Sequence, residues 1–444
     1  MTKKIFGRAE WTMLVLFGLI GQIAWSVENM YFNLFVFDTI APNLSAITLM
    51  VQLSGVTATV VTLIAGTLSD KMGNRRSFIS FGYIIWGITV ALFGFISPSL
   101  VSSLFGVGAE KAVSVTLILV IVADCVMTLF GSTANDASFN AWVTDNTESA
   151  YRGKVEGVLS ILPLASMLIV AGGFGMLVEA IGYKYLFLLL GIVITLSGVG
   201  GIFIIKDSRD LVPTGSMKDI FYGFKPSVVK SNAPLYLVLL IVLIYGVACQ
   251  MFMPYLIIYM SANLGFSVIE YSAVFAVAIL FGAGIYLYLT RLSDKKNKAR
   301  LLYFATAIFA FGLFAMYLAR GVGKTATLLL FGVSGFVMIT GFIFISALAN
   351  SLVRDHTPEG EVGKLQGVRM VFSVLIPMLL GPFVGNLINA ARNIPLPDAT
   401  SPDTMTTEYI PAPEIFLAAS LTALLILLVI PLFEKSLAKR EVRI

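Results

Sequence analysis

Charge is what this chain lacks. Only 12% of its 444 residues are Asp, Glu, Lys or Arg, against 58% hydrophobic, far from the mix of a soluble domain. Histidine is rarer still. His356 stands alone in a polar stretch, so neither a histidine metal cluster nor an intramembrane histidine relay can be built. The two cysteines, Cys125 and Cys249, both fall inside apolar runs and read as small buried hydrophobes rather than a disulfide. There is no nucleophile elbow, no His/Cys cluster and no sizeable polar domain, which argues against an enzyme and against a resident cofactor or metal. Gly321-Val-Gly323-Lys324-Thr325 mimics the end of a phosphate loop. Leu318 occupies the place of that motif's first glycine, and no strand pattern precedes it.

What is present is apolar length. A bilayer crossing takes about 20 apolar residues, and twelve such runs follow one another: 11–37, 44–68, 77–97, 113–142, 155–181, 185–205, 233–261, 268–290, 301–319, 326–353, 366–391 and 413–433. We therefore expect an all-α polytopic membrane protein. Its formal charge of +5 is no footprint of nucleic acid, because the basic residues lie where topology wants them. With the N-terminus in the cytosol, 24 of the 30 Lys and Arg fall on that side. Five are external (Lys111, Lys184, Arg320, Lys324, Arg392), and Arg369 sits within the eleventh span, where snorkelling suits it. The positive-inside rule then places both ends in the cytosol and the protein in the plasma membrane. No removable signal peptide is read ahead of the first run.

The chain also repeats itself. At an offset of 210 residues, Asn140, Val143, Asp145, Thr147, Gly153, Lys154, Gly157 and Val158 recur as Asn350, Val353, Asp355, Thr357, Gly363, Lys364, Gly367 and Val368. This is a tandem duplication of six spans, with boundaries expected at 1–205, a cytosolic linker at 206–232, and 233–444. A weaker echo links Ser69-Asp70-Lys71 to Ser293-Asp294-Lys295 at offset 224. The difference between the offsets implies an insertion near 97–112. The external stretch 394–413, rich in proline, reads as an irregular connector.

The few polar residues within the spans are not scattered. In the first span Gln22, Ser26, Asn29 and Asn33 fall within roughly 60° of one another at 3.6 residues per turn, flanked by Trp25 and Glu28. A lipid-facing helix would not carry such a stripe. The fourth span carries Asp124, Thr128, Gly131 and Asn135 within roughly 60° on the wheel. Asp136, with Ser132 and Asn140 a turn to either side, points about 120° from Asp124 on the same wheel. Desolvation favours the neutral form of a carboxyl, so a buried one can take up and release a proton. The same oxygens are hard ligands for sodium. Glu28, Asp124 and Asp136 are the candidate ion-coupling groups, and the second half has no mid-span acid to match them. Tyr245 and Gln250 in the seventh span, which Pro254 breaks, offer an aromatic face and an amide.

Between the second and third spans lies Gly66-Thr-Leu-Ser-Asp70-Lys-Met-Gly73-Asn-Arg75-Arg76, in which Gly66 and Gly73 permit close approach and positive φ and Asp70 can pair with a neighbouring Arg. This loop resembles the G-x-x-x-D-[RK]-x-G-x-[RK] signature of the major facilitator superfamily, and the twelve spans in two halves fit it over the whole length. Within the superfamily the chain is similar to the glycoside–pentoside–hexuronide cation symporters, notably the sucrose/maltose proton symporter branch. The residues that carry this are Gly21-Gln22-x-x-Trp25-x-x-Glu28, Arg75-Arg76-Ser77-Phe78-Ile79 and Asn135-Asp136-x-x-x-Asn140-Ala141-x-x-x-Asp145. Ser77 and Ser138 depart from that branch, which often has proline there.

The resemblance implies two pseudo-symmetric bundles working by alternating access around a midplane site, with Gly66, Asp70, Gly73, Arg75, Arg76 and Asp294 governing the conformational change. It further implies cation-coupled uptake of a sugar, held by Gln22, Trp25, Glu28, Asn29, Asn33, Asn135, Asn140, Tyr245 and Gln250. A monomer in the bilayer is the expected unit. The competing expectation is an exporter of amphiphilic drugs or lipids. The G-P-x-x-G-G pattern that drug/proton antiporters carry in the fifth span is absent there, but Gly381-Pro382-x-x-Gly385 in the eleventh span makes that argument against it only partial.

Overall fold

The computed structural model describes residues 7–147, 152–207, 217–293, 298–319, 323–358, 362–396 and 409–441. Asp294 and the loop residues Lys295 and Lys296 lie outside them. The chain divides into two compact units, Met1–Ala41 with Leu53–Met217, and Pro42–Gln52 with Lys218–Ile444.

The first unit holds α1 (Arg8–Thr39), most of α2 (Leu44–Met72), α3 (Arg75–Phe93), α4 (Ala109–Asn146), α5 (152–181) and α6 (183–204). The last two form one apolar stretch, Gly157–Ile204, of 48 residues. At 1.5 Å per residue that is about 72 Å, more than twice a hydrocarbon core of about 30 Å. The stretch is broken at Gly182, whose φ of 77° and ψ of 162° are not helical. Counted across that break, the described residues form twelve spans. The second unit holds α7 (Ala233–Asn263), α8 (Val268–Ser293), α9 (Lys298–Leu318), α10 (Lys324–His356), α11 (362–392) and α12 (414–441).

The connections carry structure that the sequence pattern did not show. The 97–112 loop contains a short helix, Pro98–Phe105, capped by the Ser97 hydroxyl accepting from Leu100 N and closed by Gly106 at φ 62°. At the two ends of the 394–413 stretch, expected to be irregular, β1 (Ile394–Pro395) pairs antiparallel with β2 (Tyr409–Ile410). The linker forms a 3₁₀ segment, Met217–Phe224, and a helix, Pro226–Ser231.

Within spans the helices pack closely where glycine allows it. A methyl at Gly87 on α3 would lie 2.5 Å from the carbonyl oxygen of Gly191 on α6, and Gly198 lies against Ile84 in the same way. In the second unit Gly312 on α9 and Gly341 on α10 play this part, meeting Met338 and Phe309 backbone. Small residues of this kind let helix backbones approach when lipid and helix surface are equally apolar. Several spans also widen into π turns: Glu28–Phe32 in α1, Ser132–Phe139 in α4 and Val170–Phe174 in α5, then Tyr259–Asn263 in α7 and Val371–Leu375 in α11. Such turns shift side chains off the 3.6-residue register and recur at functional sites.

The α3–α6 contact gives a direct test. Gly87→Leu should lower the melting temperature of the detergent-solubilised protein, since overpacking a close contact costs roughly 1–3 kcal/mol. An unchanged melting curve would show that these backbones are not in contact.

Candidate functional site

Glu28 opens the π turn of α1 and is 8% exposed. Its Oε1 accepts from Ser54 Oγ of α2 at 2.9 Å and from Thr128 Oγ1 of α4 at 3.2 Å, and the two hydroxyls lie 2.8 Å apart. Asp124, one turn before Thr128, is 1% exposed. It is the foremost charged neighbour of Glu28 and adjoins the Ser54 hydroxyl. Glu28 Oε2 and Asp124 Oδ1 are buried and accept no hydrogen bond. No lysine, arginine or histidine among the described residues acts on either carboxyl. Three helices of the first unit thus converge on a dry cluster of oxygens.

An ionised carboxylate in such surroundings is costly unless a proton or cation joins it. The free oxygens are where either would bind. The wheel reading of α4 explains half of this arrangement, because Asp124 and Thr128 share the face that looks at Glu28. The remainder of that face is packing. Gly131 receives the rings of Trp86 and Trp25, whose centroids lie 5.0 Å apart. Asn135 is 3% exposed, and its Nδ2 donates to Tyr83 Oη at 2.7 Å. Tyr83 Oη in turn donates to Phe17 O at 2.8 Å, while Gly21 leaves room for the Asn135 amide. Asn135 was expected to hold substrate; the structure commits its amide to the α1–α3–α4 contact.

Asp136 lies on the other side of α4, half-buried within the π turn. Its Oδ2 accepts from Ser132 Oγ at 3.0 Å, and the Trp25 indole lies beside it. Asn140 is exposed and donates to Asp136 O at 3.0 Å. On α1, Gln22 is half-buried and Asn29 exposed, its Nδ2 bonded to Trp25 O at 2.7 Å. Asp136, Asn140, Gln22 and Asn29, with Trp25, form an accessible polar surface of the first unit. The rest of the α1 stripe divides. Ser26 meets Ser166 of α5 at 3.1 Å, and Asn33 is 1% exposed with its Oδ1 unbonded. The π turn between Asn29 and Asn33 accounts for the split, since it rotates the later residues away from the preceding stripe.

Tyr245 and Gln250 belong to the second unit. Tyr245 is packed between Phe309 and Phe342 and donates to Phe342 O at 3.1 Å. Gln250 ends the regular part of α7, where the chain turns through Met253–Tyr255, and its Cβ fills the space left by Gly381. Gly385 likewise receives the Met251 carbonyl. Helix packing therefore accounts for the glycines of Gly381-Pro382-x-x-Gly385.

At the end of α2 the charged loop closes on itself. Arg75, 5% exposed, donates from Nε to Asp145 Oδ2 at 3.0 Å and from a terminal nitrogen to Ser69 Oγ at 2.6 Å, and pairs with Asp70. Gly73 has φ 62°, as the turn requires. Gly66 is different: a methyl there would meet Ala137 at an ordinary 4.0 Å, so close approach does not demand glycine. Arg76 takes Asp207 on its backbone N–H at 2.9 Å and reaches Ile202 O. The duplication reappears as an ion pair. Asp355, the repeat of Asp145, pairs with Lys298 at 2.6 Å, and Lys298 also donates to Ser351.

The model of the Major Facilitator Superfamily matches residues 14–382. The chain belongs to that superfamily. It is a multi-pass membrane transporter, and the solved structures similar to it are of the same kind. A bacterial homologue of the lysosomal transporter Spinster superposes with a TM-score of 0.67 at 12% identity, over 97% of this chain and 98% of that one. The nucleoside transporter NupG gives 0.63 at 12%, over 97% and 100%. A bacterial homologue of the iron transporter ferroportin gives 0.61 at 17%, over 96% and 98%. At these identities the likeness is one of fold. No curated protein matches this chain.

Sequence reasoning missed Ser54 and Tyr83. Ser54 stood among other polar residues of the second span (Gln52, Thr57, Thr59 and Thr62), and nothing in the sequence set it apart from them. Tyr83 looked like any span tyrosine. If Asn135 and Tyr83 act as one packing unit, Asn135→Ala and Tyr83→Phe should each cost about 1–3 kcal/mol of stability, and the double variant should cost little more than either. Additive losses in thermal unfolding, with weakened substrate binding, would return Asn135 to the binding surface.

Proposed function

We propose that this transporter is a cation-coupled symporter of a sugar or glycoside working by alternating access, with a proton or sodium ion bound at Glu28 and Asp124. The observation that carries the reading is the pair itself: two buried carboxyls with unbonded oxygens, flanked by two hydroxyls and, among the described residues, by no basic group. A transporter that only needed a rigid bundle would gain nothing from them, because insertion scales charge a few kcal/mol for each mid-bilayer acid. The sugar class is supported by the Trp25, Gln22, Asn29, Asp136 and Asn140 surface. An indole face suits the C–H face of a pyranose, and amides and a carboxylate suit its hydroxyls. It also agrees with the likeness of the α1, α4 and loop sequences to sucrose/maltose symporters. The cytosolic placement of both ends, in the plasma membrane, follows from the positive-inside count.

In this mechanism the cation neutralises the pair when the site is open to the side of higher cation concentration. The neutral pair then permits the two halves to change access, and loss of the cation on the other side resets it. Arg75 holds Asp70, Ser69 and Asp145 together in one of these states.

Proteoliposomes decide the matter. Glu28→Gln and Asp124→Asn should abolish accumulation of labelled sugar against its gradient while sparing exchange or downhill flux. Accumulation driven by a sodium gradient at equal pH, and lost in Ser54→Ala, would identify sodium; accumulation driven by a pH gradient alone would identify the proton. Variants that both still concentrate substrate would remove the coupling role. Protein that transports no sugar but expels several unrelated amphiphiles would favour the exporter.

A further inference from the structure

The linker ahead of α7 presents a surface that the transport mechanism leaves unused. Its 3₁₀ segment, Met217–Phe224, is longer than such runs usually are. Something therefore holds it in place. One anchor is visible: Tyr236 donates its hydroxyl to Gly223 O, and Val368 and Leu365 press on Gly223, which has no side chain to obstruct them. Tyr236 lies in the first turn of α7 (Ala233–Asn263), and Leu365 and Val368 lie in the first two turns of α11 (362–392). Gly223 thus packs against the first turns of two candidate membrane spans.

On either side of Gly223 two rings point away from the protein. Phe221 is 68% exposed and Phe224 45%. Beside them the Lys225 ammonium sits 5.7 Å from the centre of the Tyr222 ring, and Lys230 comes next, also exposed. From 217 to 232 the sequence has three lysines and the single acid Asp219. Exposed aromatics at span-end depth beside lysines are the pattern of a segment lying in the bilayer interface. A water-facing linker would gain nothing from two bare phenyl rings.

We propose that residues 221–230 form a membrane-interface anchor. Phe221 and Phe224 enter the boundary between headgroups and acyl chains, and Lys225 and Lys230 bind the phosphates of anionic lipids. The lipid is the fitting partner for two reasons: the spans fix the depth of the rings, and the lysines complement the negative cytoplasmic leaflet.

The test is made on the full-length protein carrying Cys125→Ala, Cys249→Ala and Phe221→Cys, spin-labelled and placed in phosphatidylcholine vesicles with or without phosphatidylglycerol. Electron paramagnetic resonance then reads collisions with oxygen, which concentrates in lipid, and with a water-soluble nickel chelate. Oxygen collisions should exceed nickel collisions several-fold when phosphatidylglycerol is present. Lys225→Glu with Lys230→Glu should bring the ratio down to its value in phosphatidylcholine alone. A label more open to nickel than to oxygen in both vesicles overturns the anchor. A ratio blind to both phosphatidylglycerol and the lysine changes overturns the anionic-lipid assignment. Phe224→Cys, labelled in the same way, separates a local distortion at 221 from a true position in water. Because no transport is measured, the result is independent of the coupling role of Glu28 and Asp124.

Discussion

The first unit is arranged around a constraint that water would abolish: two buried carboxyls on which no basic group among the described residues acts. Glu28 and Asp124 are held by helices α1 and α4, with Ser54 on α2 supplying the nearest hydroxyl. Each hydroxyl satisfies only part of what a charged carboxylate needs, and the remaining oxygens stay open. An apolar core would be more stable at this point, because buried charge is repaid only by well-placed partners. That such an arrangement is retained is intelligible if the missing partner comes and goes.

The packing around the cluster is built to keep it in place. Gly131 lets two indoles close over α4, and Gly21 admits the Asn135 amide, which bridges to Tyr83 and through it to the backbone of α1. The close glycine contacts of α3 with α6, and of α9 with α10, set backbone distances to which the apolar side chains conform. Lipid offers helices no hydrophobic reason to associate, so this fit and the interhelical hydrogen bonds do the holding.

Most of the architecture was legible in the chain because membrane spans leave a coarse signal. Twelve apolar runs, the duplicated Asp145/Asp355 segments and the Gly73–Arg75 loop all have counterparts in the structure. Hydropathy could not show what α helical wheels assume away. The π turn at Glu28–Phe32 splits the α1 stripe, leaving Asn29 exposed and Asn33 enclosed. A wheel treats both as one face. Ser54 was missed for another reason: it is one of several hydroxyls in its span, and its role appears only when α4 brings Thr128 against it. Asn135 and Tyr245 show the converse difficulty, in which a polar side chain in a span invites a binding role although it already has a packing partner.

Helix α2 is shared. Its opening stretch, Pro42–Gln52, belongs to the second unit although it precedes most of the first in the chain. There the Thr48 hydroxyl meets Tyr255 Oη at 2.7 Å, and Gln52 donates to Leu379 O at 2.8 Å. Severing the polypeptide in the linker would therefore not yield two self-sufficient pieces. The later fragment would be missing Pro42–Gln52, which ends 166 residues before the second unit resumes at Lys218, and any attempt to produce the halves apart must graft that stretch back.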